Sequence, residues 1–215
     1  MTCHWMNWVG YLLLALLYLS LMQTDLPVAQ LVVLKVLPIA LLLSMAIRSS
    51  GAPRYLMIAL VFSGCGDVLL SLPLENGFLI GLGAFLIAQL TYAWGFWSGR
   101  MQPMRTGAGL RILVLVLYLV GFGTWLLPQT GEMMVAVGLY MAAIATMAVS
   151  AARHRSGWLL YVGAAVFVIS DSIIAVERFA APFEGSRYAV MGTYYFAQGL
   201  ISFMVLKDSA LQRTA

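Results

Sequence analysis

A chain of 215 residues that is 62% hydrophobic and only 9% charged is not an ordinary soluble domain, in which about a quarter of residues are charged. With a mean hydropathy of +0.93 it reads as an all-α, polytopic integral membrane protein, a single membrane domain over residues 1–215 with no separate soluble part. The net charge of +4 does not point to nucleic acid, because the basic residues are dispersed; the expected surroundings are the lipid bilayer.

A span needs about 20 largely apolar residues. Eight such stretches run through the chain, at 6–22, 28–47, 54–73, 77–97, 109–127, 131–152, 157–179 and 188–206. Turn and charge signals separate them, among them Asp25-Leu-Pro27, Glu75-Asn-Gly77 and the segment 99–109,. The first stretch lacks a basic leader and a small-residue cleavage site, so it reads as a retained helix,.

Orientation follows from the Lys/Arg bias. Arg48, Arg54, Arg100, Arg105, Arg111, Arg153, Arg155, Lys207 and Arg213 fall on the side shared by both termini, whereas Arg178 and Arg187 fall opposite, among acidic residues. Both termini are expected in the cytoplasm, with the protein in a bacterial inner membrane. Trp5, Trp8, Trp94, Trp97, Trp125 and Trp158 sit near span ends, as an interfacial belt requires,. Cys3 and Cys65 are isolated, and Cys65 reads as a small buried hydrophobe,. The only histidines, His4 and His154, fall near predicted surfaces, so a His-based metal site within the membrane is not expected.

The chemistry concentrates in the third and seventh spans. Ser63, Asp67 and Ser71 are spaced i, i+4, i+8 and form one polar stripe on a helix,. Ser170-Asp171-Ser172 repeats a carboxylate in the seventh span. A carboxylate in hydrocarbon is costly and marks a functional-site hypothesis. Val61-Phe62 before Asp67 is echoed by Val166-Phe167 before Asp171, and Phe85 to Gln89 by Tyr194 to Gln198. These echoes point to a parallel four-plus-four repeat.

At about 1.5 Å per residue, Asp67 and Asp171 both lie roughly 20 Å along their spans, or about 10 Å below the outer face. The same counting brings Lys35, Tyr140, Tyr194, Tyr195 and Gln198 to a compatible layer, with Gln89 and Tyr92 somewhat deeper. Two nearby carboxylates resist ionising together, so one can hold a proton while Lys35 supports the charge of the other. That pair could protonate a substrate and activate water. Bland readings stand beside these: interhelical hydrogen bonding for the glutamines, packing for the tyrosines, snorkelling for Lys35. A small-molecule or ion transporter with intramembrane carboxylates, or a scaffold, is the alternative class.

Lys35-Val-Leu-Pro38, Gly66-Asp67-Val-Leu-Leu70, Phe78-Leu-Ile-Gly81 through Phe85 to Tyr92, Ser170-Asp171-Ser172 and Tyr194-Tyr195-Phe-Ala197-Gln198 together resemble the YhhN-like, lysoplasmalogenase family over nearly the whole chain. The resemblance implies an eight-helix membrane hydrolase. It would cleave the vinyl ether bond of an alkenyl lysophospholipid to a fatty aldehyde and a glycerophospho-head group, without cofactor or metal. It also implies that Asp67 and Asp171 are the family's paired acidic residues. Gln89 stands where many relatives are expected to carry histidine, which puts a proton relay through that position in doubt. Arg178, one helical face with Asp171, Ile174 and Ala175, is the candidate phosphate anchor, with Arg187 as the weaker candidate,.

Overall fold

A computed structural model of the protein describes residues 2–98 and 106–214, with side chains at 5–98 and 107–212. Among the described residues there are eight α-helices and no strand: α1 (Thr2–Leu21), α2 (Val28–Arg48), α3 (Arg54–Ser71), α4 (Gly77–Ser98), α5 (Thr106–Leu126), α6 (Met134–Arg153), α7 (Trp158–Phe179) and α8 (Ser186–Thr214). Hydrocarbon offers no hydrogen-bond partner, so each apolar run satisfies its backbone within itself as a helix. Helices α2 to α8 carry segments long and apolar enough to cross a membrane, and the first contributes a shorter apolar helix over Trp5–Leu21. The protein is an integral membrane protein.

Boundaries differ from the sequence reading where local chemistry overrides hydropathy. The third span stops at Ser71, two residues early, ahead of Pro73,. Two 3₁₀ turns, Leu127–Gln129 and Gly131–Met133, join α5 to α6 and delay the sixth helix. Helix α8 runs beyond its span to Thr214 through a polar tail. Gly157 (φ 85°) and Gly185 (φ 81°) take left-handed conformations in the turns before α7 and α8,. The basic positions Arg100 and Arg105 lie outside the described residues, as does the side chain of Arg213.

The closest packing joins α3 to α4 and α7 to α8, with α4 also against α6. Small residues make this approach feasible. A Cβ on Gly66 would lie 2.5 Å from the Phe85 ring, one on Gly81 2.8 Å from Leu70, and one on Gly163 2.9 Å from Ile201. Helix α5 lies at the edge of the bundle and α8 is the most enclosed. Five tryptophans at span ends, all but Trp8, are exposed.

One residue, Cys65, differs from expectation, and His154 lies at a span end as expected. Cys65 is exposed on the outer face of α3, because the helix turns Ser63, Gly66 and Asp67 inward. His154 is buried beside Phe96, with its Nδ1 accepting the Ser156 N–H. It sits outside the spans, where burial holds the imidazole below its ordinary range,.

Candidate active site

The predicted layer resolves into three hydrogen-bonded groups. The first surrounds Asp67, whose residue is 2% exposed. Its carboxylate accepts the Tyr194 hydroxyl at 2.7 Å and pairs with Lys35 Nζ at 3.5 Å. Lys35 also donates to Ser71 Oγ at 3.0 Å, and Ser71 in turn donates to the Asp67 carbonyl at 2.7 Å. A buried charge needs such compensation, and this one has an ammonium and a phenol. Pro38 interrupts the α2 ladder one turn after Lys35,. The Lys35 carbonyl there accepts the Tyr195 hydroxyl at 2.7 Å. Tyr195 therefore holds the backbone that carries Lys35.

The second group surrounds Asp171. Its carboxylate accepts the hydroxyl of Tyr140, whose oxygen accepts Gln89 Nε2 at 3.4 Å. Asp171 has no cationic partner among the described residues. The third group lies apart from both carboxylates: Tyr92 donates to Gln198 Oε1 at 2.8 Å, and Gln198 Nε2 donates to Ser63 at 2.9 Å. Tyr92, Gln198 and Ser63 are fully buried, with Tyr92 stacked on Phe96. They form a polar clamp across α3, α4 and α8.

Phe85 stands between the first two groups. It packs on Gly66 next to Asp67, and its ring meets Tyr194 edge-on with centroids 5.9 Å apart. Phe85 also lines a narrow apolar cleft of about 50 Å³ whose wall includes Tyr140 and Asp171. Leu70, Phe78 and Ile174 border this cleft and also a wider vestibule of about 730 Å³. The vestibule carries the charges Lys35, Glu75, Glu177, Arg178 and Arg187, with the neutral hydroxyl of Ser71. Arg187 pairs with Glu177 at 3.8 Å. Arg178 is exposed, its guanidinium 5.1 Å from the centre of the Phe78 ring, and it makes no ion pair among the described residues.

Lys35, Arg178, Tyr140 and Asp171 thus reach a cavity wall, Asp67 and Tyr194 stand directly behind it, and Tyr195, Tyr92, Gln198 and Gln89 act at a further remove. Ser71 was visible only as the third member of the Ser63–Asp67–Ser71 stripe. Phe85 carried no polar signal at all. Among the described residues no cluster of His, Cys, Asp and Glu could hold a metal ion.

This chain matches the YhhN family over residues 30–205. It belongs to that family. Pig lysoplasmalogenase TMEM86B (Sus scrofa) is 35% identical over 181 residues, 83% of this chain and 75% of the relative. Human lysoplasmalogenase TMEM86B is 33% identical over 163 residues, 74% of this chain and 67% of the relative. A lysoplasmalogenase of Mycobacterium bovis is 31% identical over 155 residues, 69% and 59% respectively. No solved structure matches the chain. The matched segment of this YhhN family member includes Lys35, both aspartates and Tyr194, so the whole candidate site lies within the family's shared region.

Proposed function

We propose that this YhhN family protein is a membrane hydrolase that cleaves the vinyl ether bond of lysoplasmalogens, using Asp171 as proton donor and Asp67 as the opposing charge. The observation that carries the assignment is the unequal pairing of the two buried carboxylates: Asp67 has Lys35, and Asp171 has only neutral partners beside an apolar cleft. The names of the relatives support the substrate class.

Protonation of the alkene carbon by Asp171 opens the reaction and leaves an oxocarbenium ion, with Asp171 as carboxylate. The Asp67 carboxylate stabilises that cation, as a carboxylate does in glycoside hydrolysis. Water adds to the cationic carbon and gives its proton to a carboxylate. The hemiacetal then collapses: its C–O bond to glycerol breaks, the hydroxyl proton leaves, and the glycerol oxygen takes up a proton. The products are the aldehyde and the glycerophospho-head group. In this reading the apolar cleft receives the start of the alkenyl chain and the charged vestibule receives the head group. The cleft is narrow, so the chain would widen it by parting Phe78, Leu82 and Phe122. The protein would lie in a bacterial inner membrane with both termini cytoplasmic and the vestibule facing outward.

The test is aldehyde release by the purified protein in detergent. An alkenyl lysophospholipid should yield aldehyde, and the saturated alkyl ether should not, because it has no alkene carbon to protonate. Asp67→Asn and Asp171→Asn should each lower the rate at least about a hundredfold, the lower scale for lost acid–base help. Near-normal turnover in both variants would overturn the assignment. Absence of aldehyde from the unmodified protein, with solute flux in proteoliposomes, would favour a transporter.

A further inference from the structure

Gln89 is fully buried on α4, and its Oε1 has no hydrogen-bond partner. Such an atom is rare in a packed interior and calls for an explanation. The amide's recorded side-chain bond is the long one, 3.4 Å from Nε2 to the Tyr140 oxygen. Tyr140 in turn donates its only hydroxyl proton to Asp171. The three residues form a chain with one direction: Gln89 to Tyr140 to Asp171. That direction suits an ionised Asp171, which can only accept.

A proton donor must also exist in its protonated form. With substrate absent, protonated Asp171 rests its proton on the Tyr140 oxygen, its hydrogen-bond partner beside the apolar cleft, and the Tyr140 hydroxyl then needs an acceptor,. Gln89 can supply one by turning its amide half a revolution, which exchanges oxygen for nitrogen at nearly unchanged shape. No bond on Oε1 opposes that turn. Both directions of the chain hold two hydrogen bonds. We propose that Gln89 is a positioning residue for the hydrolysis, a reversible terminus that lets Tyr140 follow the protonation state of Asp171 through the catalytic cycle. This rests on the proposed role of Asp171 as proton donor.

Other charged and titratable groups around Asp171 are accounted for. Helices α3 and α2 bring Asp67 with its Lys35 partner, and α8 brings Tyr194, already bonded to Asp67. Helix α5 contributes apolar Leu119, Phe122 and Leu126 to the cleft, and α7 itself carries Arg178 two turns outward, at the vestibule. The uncharged amide of Gln89 is the group that answers Tyr140.

Methionine matches glutamine in size but cannot end the chain. In Gln89→Met the protonated form of Asp171 leaves the Tyr140 hydroxyl without an acceptor. The ionised form loses only a donor to the Tyr140 oxygen, a smaller loss. The alkaline limb of the kcat–pH profile should therefore move to lower pH by about one unit, the scale of one hydrogen bond. Tyr140→Phe removes the link, so adding Gln89→Met to it should move the limb no further. The measurement is aldehyde release from an alkenyl lysophosphoethanolamine between about pH 5 and pH 9, above the unperturbed carboxyl range and across that reached by buried carboxyl groups. A uniform fall in kcat with an unmoved limb would mean that Gln89 only packs. An equal shift in the Tyr140→Phe background would mean that it acts by another route. Either result overturns the inference while the Asp171→Asn assay still reports on the hydrolase reading itself.

Discussion

At the residue scale, what distinguishes the two aspartates is company rather than depth. Asp67 holds an ammonium at 3.5 Å, whereas Asp171 faces Tyr140 and a cleft of aliphatic and aromatic side chains. Burying a charge without a counter-charge costs several kcal/mol, so the two positions suit different steps. Arg178 belongs to the same scale. Ile174, one turn before it, borders both cavities, and Arg178 lines the vestibule with its guanidinium over Phe78. A planar fork that stays charged is the natural partner for a phosphate entering there. Arg178→Gln should raise KM for a phosphate-bearing alkenyl lysolipid and spare a phosphate-free alkenyl glycerol. Equal losses on both substrates would show that Arg178 supports the fold, through Phe78, rather than the head group.

At the scale of helices, the α3–α4 contact controls the site from behind. Gly66 precedes Asp67 and has the Phe85 ring where a Cβ would be. Phe85 in turn supports Tyr194 and walls the cleft. Gly66→Ala should push that ring toward the cleft and cost about 1–3 kcal/mol, the usual scale of overpacking. The expected readouts are a lower melting temperature in detergent together with a lower kcat/KM. Phe85→Leu in the same chain should recover part of the stability by relieving the crowding. If Gly66→Ala leaves both quantities unchanged, the helices are not held as closely as the packing implies. Tyr195 offers the complementary lesson: its hydroxyl, from α8, bonds the Lys35 carbonyl one turn before Pro38 and ties α8 to the stretch of α2 where the ladder is interrupted,.

At the scale of the whole molecule, the charged vestibule lies at one end of the bundle, and a separate cavity lined by Arg48, Ser49 and Lys207 lies at the other. The vestibule opens where α1–α2, α3–α4 and α7–α8 connect, as its lining residues Met22, Glu75, Pro182 and Arg187 indicate. Beyond the carboxylates, the Tyr92–Gln198–Ser63 clamp and the buried Phe96 fill the interior. On the proposed hydrolase reading the lipid reaches the carboxylates from the vestibule, and a solute crossing the protein would have to part that clamp. The basic bias sets the expected direction. Single cysteines at Glu75 and Glu184 should react with an impermeant thiol reagent from outside intact cells, and one at Ser49 only after permeabilisation. The opposite pattern would reverse the orientation and put the vestibule on the cytoplasmic side.

Hydropathy and charge along the chain define the set of helices and the residues that could not be ordinary within them. Apolar runs of span length become helices whatever their neighbours, since backbone desolvation is a local cost. Asp67, Asp171 and Lys35 stand out for the same reason: a charge in hydrocarbon is expensive before its partner is known. Counting residues along each span also indicated a common layer, and Lys35, Asp67 and Tyr194 do meet, as do Tyr140 and Asp171. Azimuth was not legible in that way. Whether a side chain at a given depth points to one neighbour or another depends on how each helix is rotated about its axis. That rotation is set by contacts such as Gly66 against Phe85 and Gly163 against Ile201. Tyr194 and Asp67 are 127 residues apart in sequence, and Gln198 and Ser63 135 apart, so no local pattern could pair them. Helix packing assigned Lys35 to Asp67 and not to Asp171, set Tyr195 on backbone, and turned Gln198 away from both carboxylates. It did so because packing, unlike hydropathy, is a property of two helices at once.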